Sequence, residues 1–199
     1  MSTVGRALQQ AGFGCPHGLL GRIGGWLMAR GNAATERHMV ELAELHESDA
    51  VLVVGPGPGV GLRTAGERSA RVVGIDPSDL MLATCRRRCA DLVRQGRVRL
   101  RPGTAEQTGQ PDQSVDVVLS VNNVFLWPDW HAGFTELHRV LRPGGRLLLS
   151  THLKWLPGGL AALAAAVEAA GFADVHTWTW RPPGPGATTA AQLRGARVG

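Results

Sequence analysis

The 199-residue chain contains no tyrosine, three cysteines and a single lysine, Lys154. Nearly all of its positive charge is therefore arginine, with a formal net charge of +5 and a pI of about 10.3. An arginine excess can mark a nucleic-acid surface, and it can equally reflect a GC-rich genome. The arginines are scattered, their densest run is Arg86-Arg87-Arg88, and no contiguous basic stripe forms. A solvated helix face is the expectation, and nucleic acid is not an expected partner. Of the three cysteines, Cys85 and Cys89 lie four apart without a matching His/Cys pair at zinc spacing, so no metal site is expected. An odd number of cysteines and no secretory signal point to a reducing cytoplasm. The apolar stretches are short and interrupted by glycine, which leaves no candidate membrane span.

What is present suits one α/β domain. The length leaves no room for a second full domain, and 44% hydrophobic with 19% charged residues can build an ordinary core. Residues 1–34 read as an extension with one amphipathic piece, Leu19 to Arg30, that could act as a lid or as a homodimer contact; residues 35–199 read as the main domain. A helix is expected over roughly Ala33 to His46. Strands follow at Ala50–Val54, Arg71–Ile75, Val98–Arg101, Val115–Ser120 and Arg146–Thr151, with two more at Asp174–Trp180 and about Ala190–Val198. Helices are expected from Pro77 to about Val93, from Asp129 to about Val140 and from Pro157 to Ala170. Alternation of this kind predicts a parallel sheet with helices on both faces, and ligands in such sheets bind beyond the carboxyl ends of the strands.

The sharpest motif is Val51-Leu52-Val53-Val54-Gly55-Pro56-Gly57-Pro58-Gly59-Val60-Gly61. A buried strand runs into glycines at alternate positions, where the backbone can turn sharply and a ligand can approach without meeting a Cβ. A dinucleotide fingerprint would read G-x-G-x-x-G, but Val60 and Leu62 stand where its last glycine would fall. The loop therefore opposes a pyrophosphate cradle, and with it a nicotinamide oxidoreductase, and suits a nucleoside with a short charged tail. Asp76 ends the second strand 19 residues beyond Gly57, where a carboxylate can accept from both ribose hydroxyls; a helix N-cap is its alternative role. Gly103-Thr104-Ala105-Glu106 follows the third strand and can offer polar groups to an adenine edge. Ser120-Val121-Asn122-Asn123 ends the fourth and faces the same crevice.

With these motifs in order, the sequence resembles the class I, Rossmann-like S-adenosyl-L-methionine (SAM)-dependent methyltransferases over about residues 35–175, nearest to the small-molecule and quinone C-methyltransferase branch. Val51–Gly61 resembles the family's first motif, and Val72 to Ser78 with Met81 its ribose-binding strand end and helix. Gly103 to Glu106 with Pro111 to Asp116, and Glu136 to Arg146, resemble two further family segments. The resemblance implies a seven-stranded, mostly parallel sheet with an antiparallel last strand. It also implies SAM as cofactor and S-adenosyl-L-homocysteine as product, held by Gly55, Gly57, Gly59, Asp76, Pro77, Met81, Thr104, Ala105, Glu106, Val121 and Asn122. Two departures stand out. The family usually has an acid two residues before the first glycine, and here that residue is Val53. Thr104 stands where Asp is common.

Methyl transfer from SAM is an in-line displacement, so the protein mainly aligns reactants and excludes water. A base is needed only if the acceptor must lose a proton. His152, after the fifth strand, is the candidate base, with His131 the second. Trp26, Asn123, Trp127 and Trp155 are the candidate substrate contacts: of six tryptophans, Trp127, Trp130 and Trp155 lie in or next to the crevice loops and could wall an apolar or planar acceptor, and Trp26 belongs to the piece that could act as a lid. Asn122-Asn123 is not followed by the Pro-Pro-aromatic pattern of amino-group DNA and RNA methylases. The expected function is methylation of a small molecule. An RNA or protein methyltransferase and a non-catalytic SAM-binding accessory protein are the alternatives, the latter suggested by Val53 and the missing obvious base.

Overall fold

A computed structural model describes residues 32–183 and 187–199. The amphipathic piece Leu19 to Arg30, with Trp26, lies outside the described residues. The first described element is helix α1 over residues 32–42, which lays Met39, Val40 and Ala43 against the sheet. Seven strands follow: β1 (Ala50–Val54), β2 (Arg71–Ile75), β3 (Val98–Arg101), β4 (Val115–Val121), β5 (Leu141–His152), β6 (Ala173–Trp180) and β7 (Ala190–Ala196). Between them run α2 (Val60–Arg68), α3 (Asp79–Arg88), α4 (Ala90–Arg94), α5 (Trp130–Val140) and α6 (Gly159–Ala169).

The sheet order is β3-β2-β1-β4-β5-β7-β6, with β7 antiparallel to both of its neighbours and the other pairs parallel. This is the expected architecture. All five residues of β1 are apolar and buried, a pattern only a central strand covered on both faces can satisfy. One face is filled by Leu52, Val54, Ile75, Val118 and Leu149 under α5 and α6. The other is filled by Val51, Val53, Val72, Leu119 and Leu148 under α1 to α4. From β1 the chain builds outward to β3, then returns to place β4 on the other side of β1. The carboxyl ends of β1 and β4 therefore diverge into connections that leave in opposite directions, which opens a crevice.

Two boundaries differ from expectation for identifiable reasons. The helix after β2 breaks at Cys89 (φ −105°, ψ 23°). The break brings Asp91 into a two-pronged bond with Arg63 at 2.8 and 3.0 Å and sets Leu92 against Gly66. The Arg142-Pro143-Gly144-Gly145 segment reads as a turn before the fifth strand, but it is a bulge within β5. Pairing with β4 jumps from Val115–Leu141 to Val117–Arg146. The bulge is closed by backbone bonds between Gly144 N and Arg197 O (2.7 Å) and between Arg197 N and Gly145 O (2.9 Å). These partners come from the end of β7, some fifty residues on, and no local signal announces them.

Candidate functional site

At the β1–β4 divergence lies a cavity of about 450 Å³. Its floor is the glycine-rich loop. Gly55 (φ +61°), Gly57 (φ +51°) and Gly59 (φ +88°) all take left-handed conformations that L side chains rarely adopt. Their surroundings differ. A Cβ on Gly55 would lie 2.5 Å from Asn123 Nδ2, whereas one on Gly57 would meet nothing within 4 Å. Gly59 does not line the cavity; it packs on Cys85 and serves as the N-cap of α2. Gly55→Ala is accordingly expected to cost about 3 kcal/mol of stability or more through strain and the displaced Asn123. Gly57→Ala should cost only the backbone strain of about 1–2 kcal/mol while filling part of the open cradle. Chemical denaturation run beside ligand titration separates the two.

Asp76 closes β2 and lines the cavity at 5% exposure. It is not the helix cap: Ser78 caps α3 by accepting from Met81 N, and Asp76 Oδ1 in turn accepts from Ser78 N at 2.9 Å. Burial pushes its carboxyl up to about 6, against the hydrogen bonds from the Ser78 and Gly57 backbones. Pro77 and Met81 extend the wall. Thr104, Ala105 and Glu106 line the cavity from the β3–β4 connection. That connection is anchored where Glu136 Oε1 accepts from Thr108 N (3.1 Å) and Thr108 Oγ1 (2.6 Å), with Arg139 clamping the same carboxylate.

Val121 and Asn122 complete the β4 side. Asn122 adopts φ +58°, and among the described residues neither side-chain amide atom, both buried, has a hydrogen-bond partner. A buried amide without partners is costly unless a ligand supplies them. Asn123 also borders the cavity, but its polar atoms are committed. Nδ2 donates to Val54 O at 2.7 Å, and Oδ1 accepts from Ser120 Oγ (2.7 Å) and from Trp127 Nε1 (2.9 Å). Asn123 thus ties the end of β1 to Trp127. That indole, with Leu126 and Pro128, forms an apolar wall backed by Phe134 and Gly133.

His152 and Trp155 are not among the lining residues. His152 Nδ1 is 2.6 Å from Thr188 Oγ1, its ring stands edge-on to Trp155, and burial with nearby Lys154 holds its pKa below the ordinary value. Trp155 packs on Phe125, the central residue of the Val124–Leu126 turn that Trp127 ends. His131 is exposed at the start of α5. Two unanticipated residues, Asn32 and Glu36, reach the cavity from α1. Glu36 was legible as an anomaly: with Met39, Val40 and Ala43 it occupies the i, i+3, i+4, i+7 stripe of α1, the one acid on a buried face.

Residues 52–149 match the family model described as "Methyltransferase domain". The chain is 32% identical over 130 residues to the uncharacterized methyltransferase YdaC of Bacillus subtilis, covering 64% of this chain and 70% of that one. It is 32% identical over 164 residues to a protein of Mycolicibacterium smegmatis named for S-adenosylmethionine-dependent methyl transfer, covering 73% of this chain but only 61% of that one. Among solved structures, a chain in the complex between the Haloferax volcanii Trm112 methyltransferase activator and its methyltransferase superposes with a TM-score of 0.73. It is 19% identical and covers 88% of this chain and 94% of that one. The chain belongs to the SAM-dependent methyltransferase family. It is a SAM-dependent methyltransferase of the class I fold, and SAM is its cofactor. The cavity fits that cofactor: the open cradle at Gly57, the buried Asp76 carboxylate and the orphaned Asn122 amide supply space, an acceptor for hydroxyls and both hydrogen-bonding senses. No described helix is long and apolar enough to cross a membrane.

Proposed function

We propose that this methyltransferase acts on an apolar or planar small molecule, an acceptor class that includes the quinones, and that the acceptor lies against the Leu126–Trp127–Pro128 wall. The observation that carries this reading is the continuity of that wall with the glycine loop, Asp76 and Asn122 in one cavity of about 450 Å³, a size suited to a nucleoside together with a small partner. Trp127 is held in place by its bond to Asn123 and by Phe134, so the wall is rigid before anything binds. Asp76 holds the ribose hydroxyls, the Gly55–Gly57 backbone leaves room for the amino-acid tail, and the Thr104–Glu106 loop borders the adenine. Asn122 gains its missing partners from cofactor or acceptor. SAM supplies an electrophilic methyl group; the protein's part is to orient the acceptor atom in line with it and keep water out.

The direct test is S-adenosyl-L-homocysteine release on a panel of planar phenols, quinones and heterocycles, beside RNA at two salt concentrations. Turnover on panel members supports the reading. Turnover on RNA alone, collapsing as salt rises, or cofactor binding with no turnover on any acceptor, overturns it. Trp127→Leu is expected to raise the acceptor KM about tenfold or more, from lost apolar contact, while S-adenosyl-L-homocysteine affinity stays within about threefold.

A further inference from the structure

Helix α2 begins at the glycine-rich loop with Gly59 as its N-cap, and a glycine has no side chain to satisfy the helix's first N–H groups. The missing acceptor comes from another element. Glu36, on α1 and 25 residues upstream, places Oε2 2.6 Å from Gly61 N, the second residue of α2. Its residue exposure is 7%, and among the described residues its other carboxylate oxygen accepts no hydrogen bond. On one side Glu36 lines the main cavity with Asn32; on the other it shares a void of about 20 Å³ with Val53, Leu119 and Val121. It therefore stands on the β4 flank of β1, beside the space a side chain at position 53 occupies, whereas Asp76 stands on the β2 flank. One edge of the cavity thus carries a carboxyl group fixed to the glycine loop, and Val53 contributes none.

SAM has one cationic group that hydrogen-bonds, its α-ammonium, and a buried carboxylate with a free oxygen is its chemical complement. We propose that Glu36 receives the α-ammonium group of SAM while it caps α2, so that a residue outside the strand–loop motif anchors the amino-acid end of the cofactor. The proposal rests on the cavity being the SAM site. Without a cation, burial pushes the Glu36 carboxyl up to about 7, opposed only in part by the Gly61 hydrogen bond and by Arg88 and Arg37. The other titratable groups facing it are Cys85 on α3 and Asp76 at the end of β2. An ammonium group beside Glu36 favours the ionised form, so binding near pH 7 releases a proton.

The test is titration calorimetry with SAM and with 5′-methylthioadenosine, which keeps the adenosyl group and lacks the amino-acid tail. Glu36→Gln keeps an oxygen for Gly61 N, and it is expected to weaken SAM roughly ten- to hundredfold and 5′-methylthioadenosine by no more than about twofold. Equal losses on both ligands, or no loss on either, overturn the proposal. Should the variant misfold, the wild-type protein decides. At pH 7, in buffers of different ionisation heat, SAM should release about half a proton more than 5′-methylthioadenosine, any release from Asp76 being common to both; equal release overturns it. A wild-type protein that binds neither ligand removes the cavity assignment itself. One that binds both equally tightly leaves that assignment standing and removes only the role of Glu36.

Discussion

Asp76→Ala is expected to weaken SAM and S-adenosyl-L-homocysteine by at least a hundredfold, with the fold intact. The carboxylate is 5% exposed and lines the cavity. Two charge-assisted bonds to ribose hydroxyls, each contributing about 1.5–3 kcal/mol, amount to two to four orders of magnitude in affinity. The fold should survive because the cap of α3 is Ser78, which keeps its own bond to Met81 N; the Ser78 and Gly57 N–H groups lose an acceptor. Titration calorimetry measures the affinity and circular dichroism the fold. A loss below tenfold would remove Asp76 from the ribose role. The unliganded carboxyl, raised to about 6, adds a pH signature. Ribose hydroxyls donate to the ionised form, so the affinity for 5′-methylthioadenosine, which lacks the ammonium group, should fall as pH drops below about 6 in the wild-type protein and should not follow that course in Asp76→Ala.

The second large effect concerns stability. Asp76 and Glu36 are both raised in the folded protein, from 3.8 to about 6 and from 4.5 to about 7, mainly by burial. The folded state then holds these protons more tightly than the unfolded chain does. The stability they confer is complete below pH 4 and is lost as pH rises through about 6 and about 7, at about 3 kcal/mol for each group. The carboxyls of Asp91, Asp116 and Glu136 are shifted the other way. Asp91 is held down by its bond to Arg63; at Asp116 and Glu136 burial is outweighed by hydrogen bonds, including those from Arg142 and Arg139. Those three titrate in the acid range. His138 and His152, held below the ordinary value chiefly by burial, add stability as pH rises to about 6.5, so only above that pH does the change belong to Asp76 and Glu36 alone. Unliganded protein should therefore lose stability between about pH 6.5 and about pH 8, measurable as a falling denaturant midpoint. Glu36→Gln should flatten the slope and be more stable than wild type at pH 8 by about 1–3 kcal/mol. A stability that rises over this interval would contradict the burial of both charges. Carboxylates kept in this way at a binding site trade stability for function, and saturating SAM should restore part of the loss by binding only the folded state.

The glycine loop, the strand-ending acid and the order of strands and helices were legible in the sequence because each is a local or periodic signal. A both-faces-buried run such as Ala50–Val54 requires a central strand. Alternate glycines directly after it require close backbone approach, and an acid ending the next strand sits beside that approach wherever the sheet is parallel. Sequence alone thus determined the class of fold and the edge of the sheet at which the cavity opens. Other features depended on residues far apart in the chain meeting in space. The bulge in β5 is held by Arg197, and no window around Arg142 contains that partner. Asn122 and Asn123 are adjacent and chemically identical. Tertiary contacts with Val54, Ser120 and Trp127 occupy one and leave the other's amide without partners among the described residues. His152 ends β5 at the crevice side and Trp155 follows it, yet β7 pairs along β5 as far as His152, whose imidazole meets Thr188 and is off the cavity wall. Glu36 stood out as an acid on an apolar stripe, but only the packing of α1 against the start of α2 decided that its carboxylate would face the glycine loop. A hydrogen bond across 25 residues is specified by how two helices dock, and that geometry is set by the whole core.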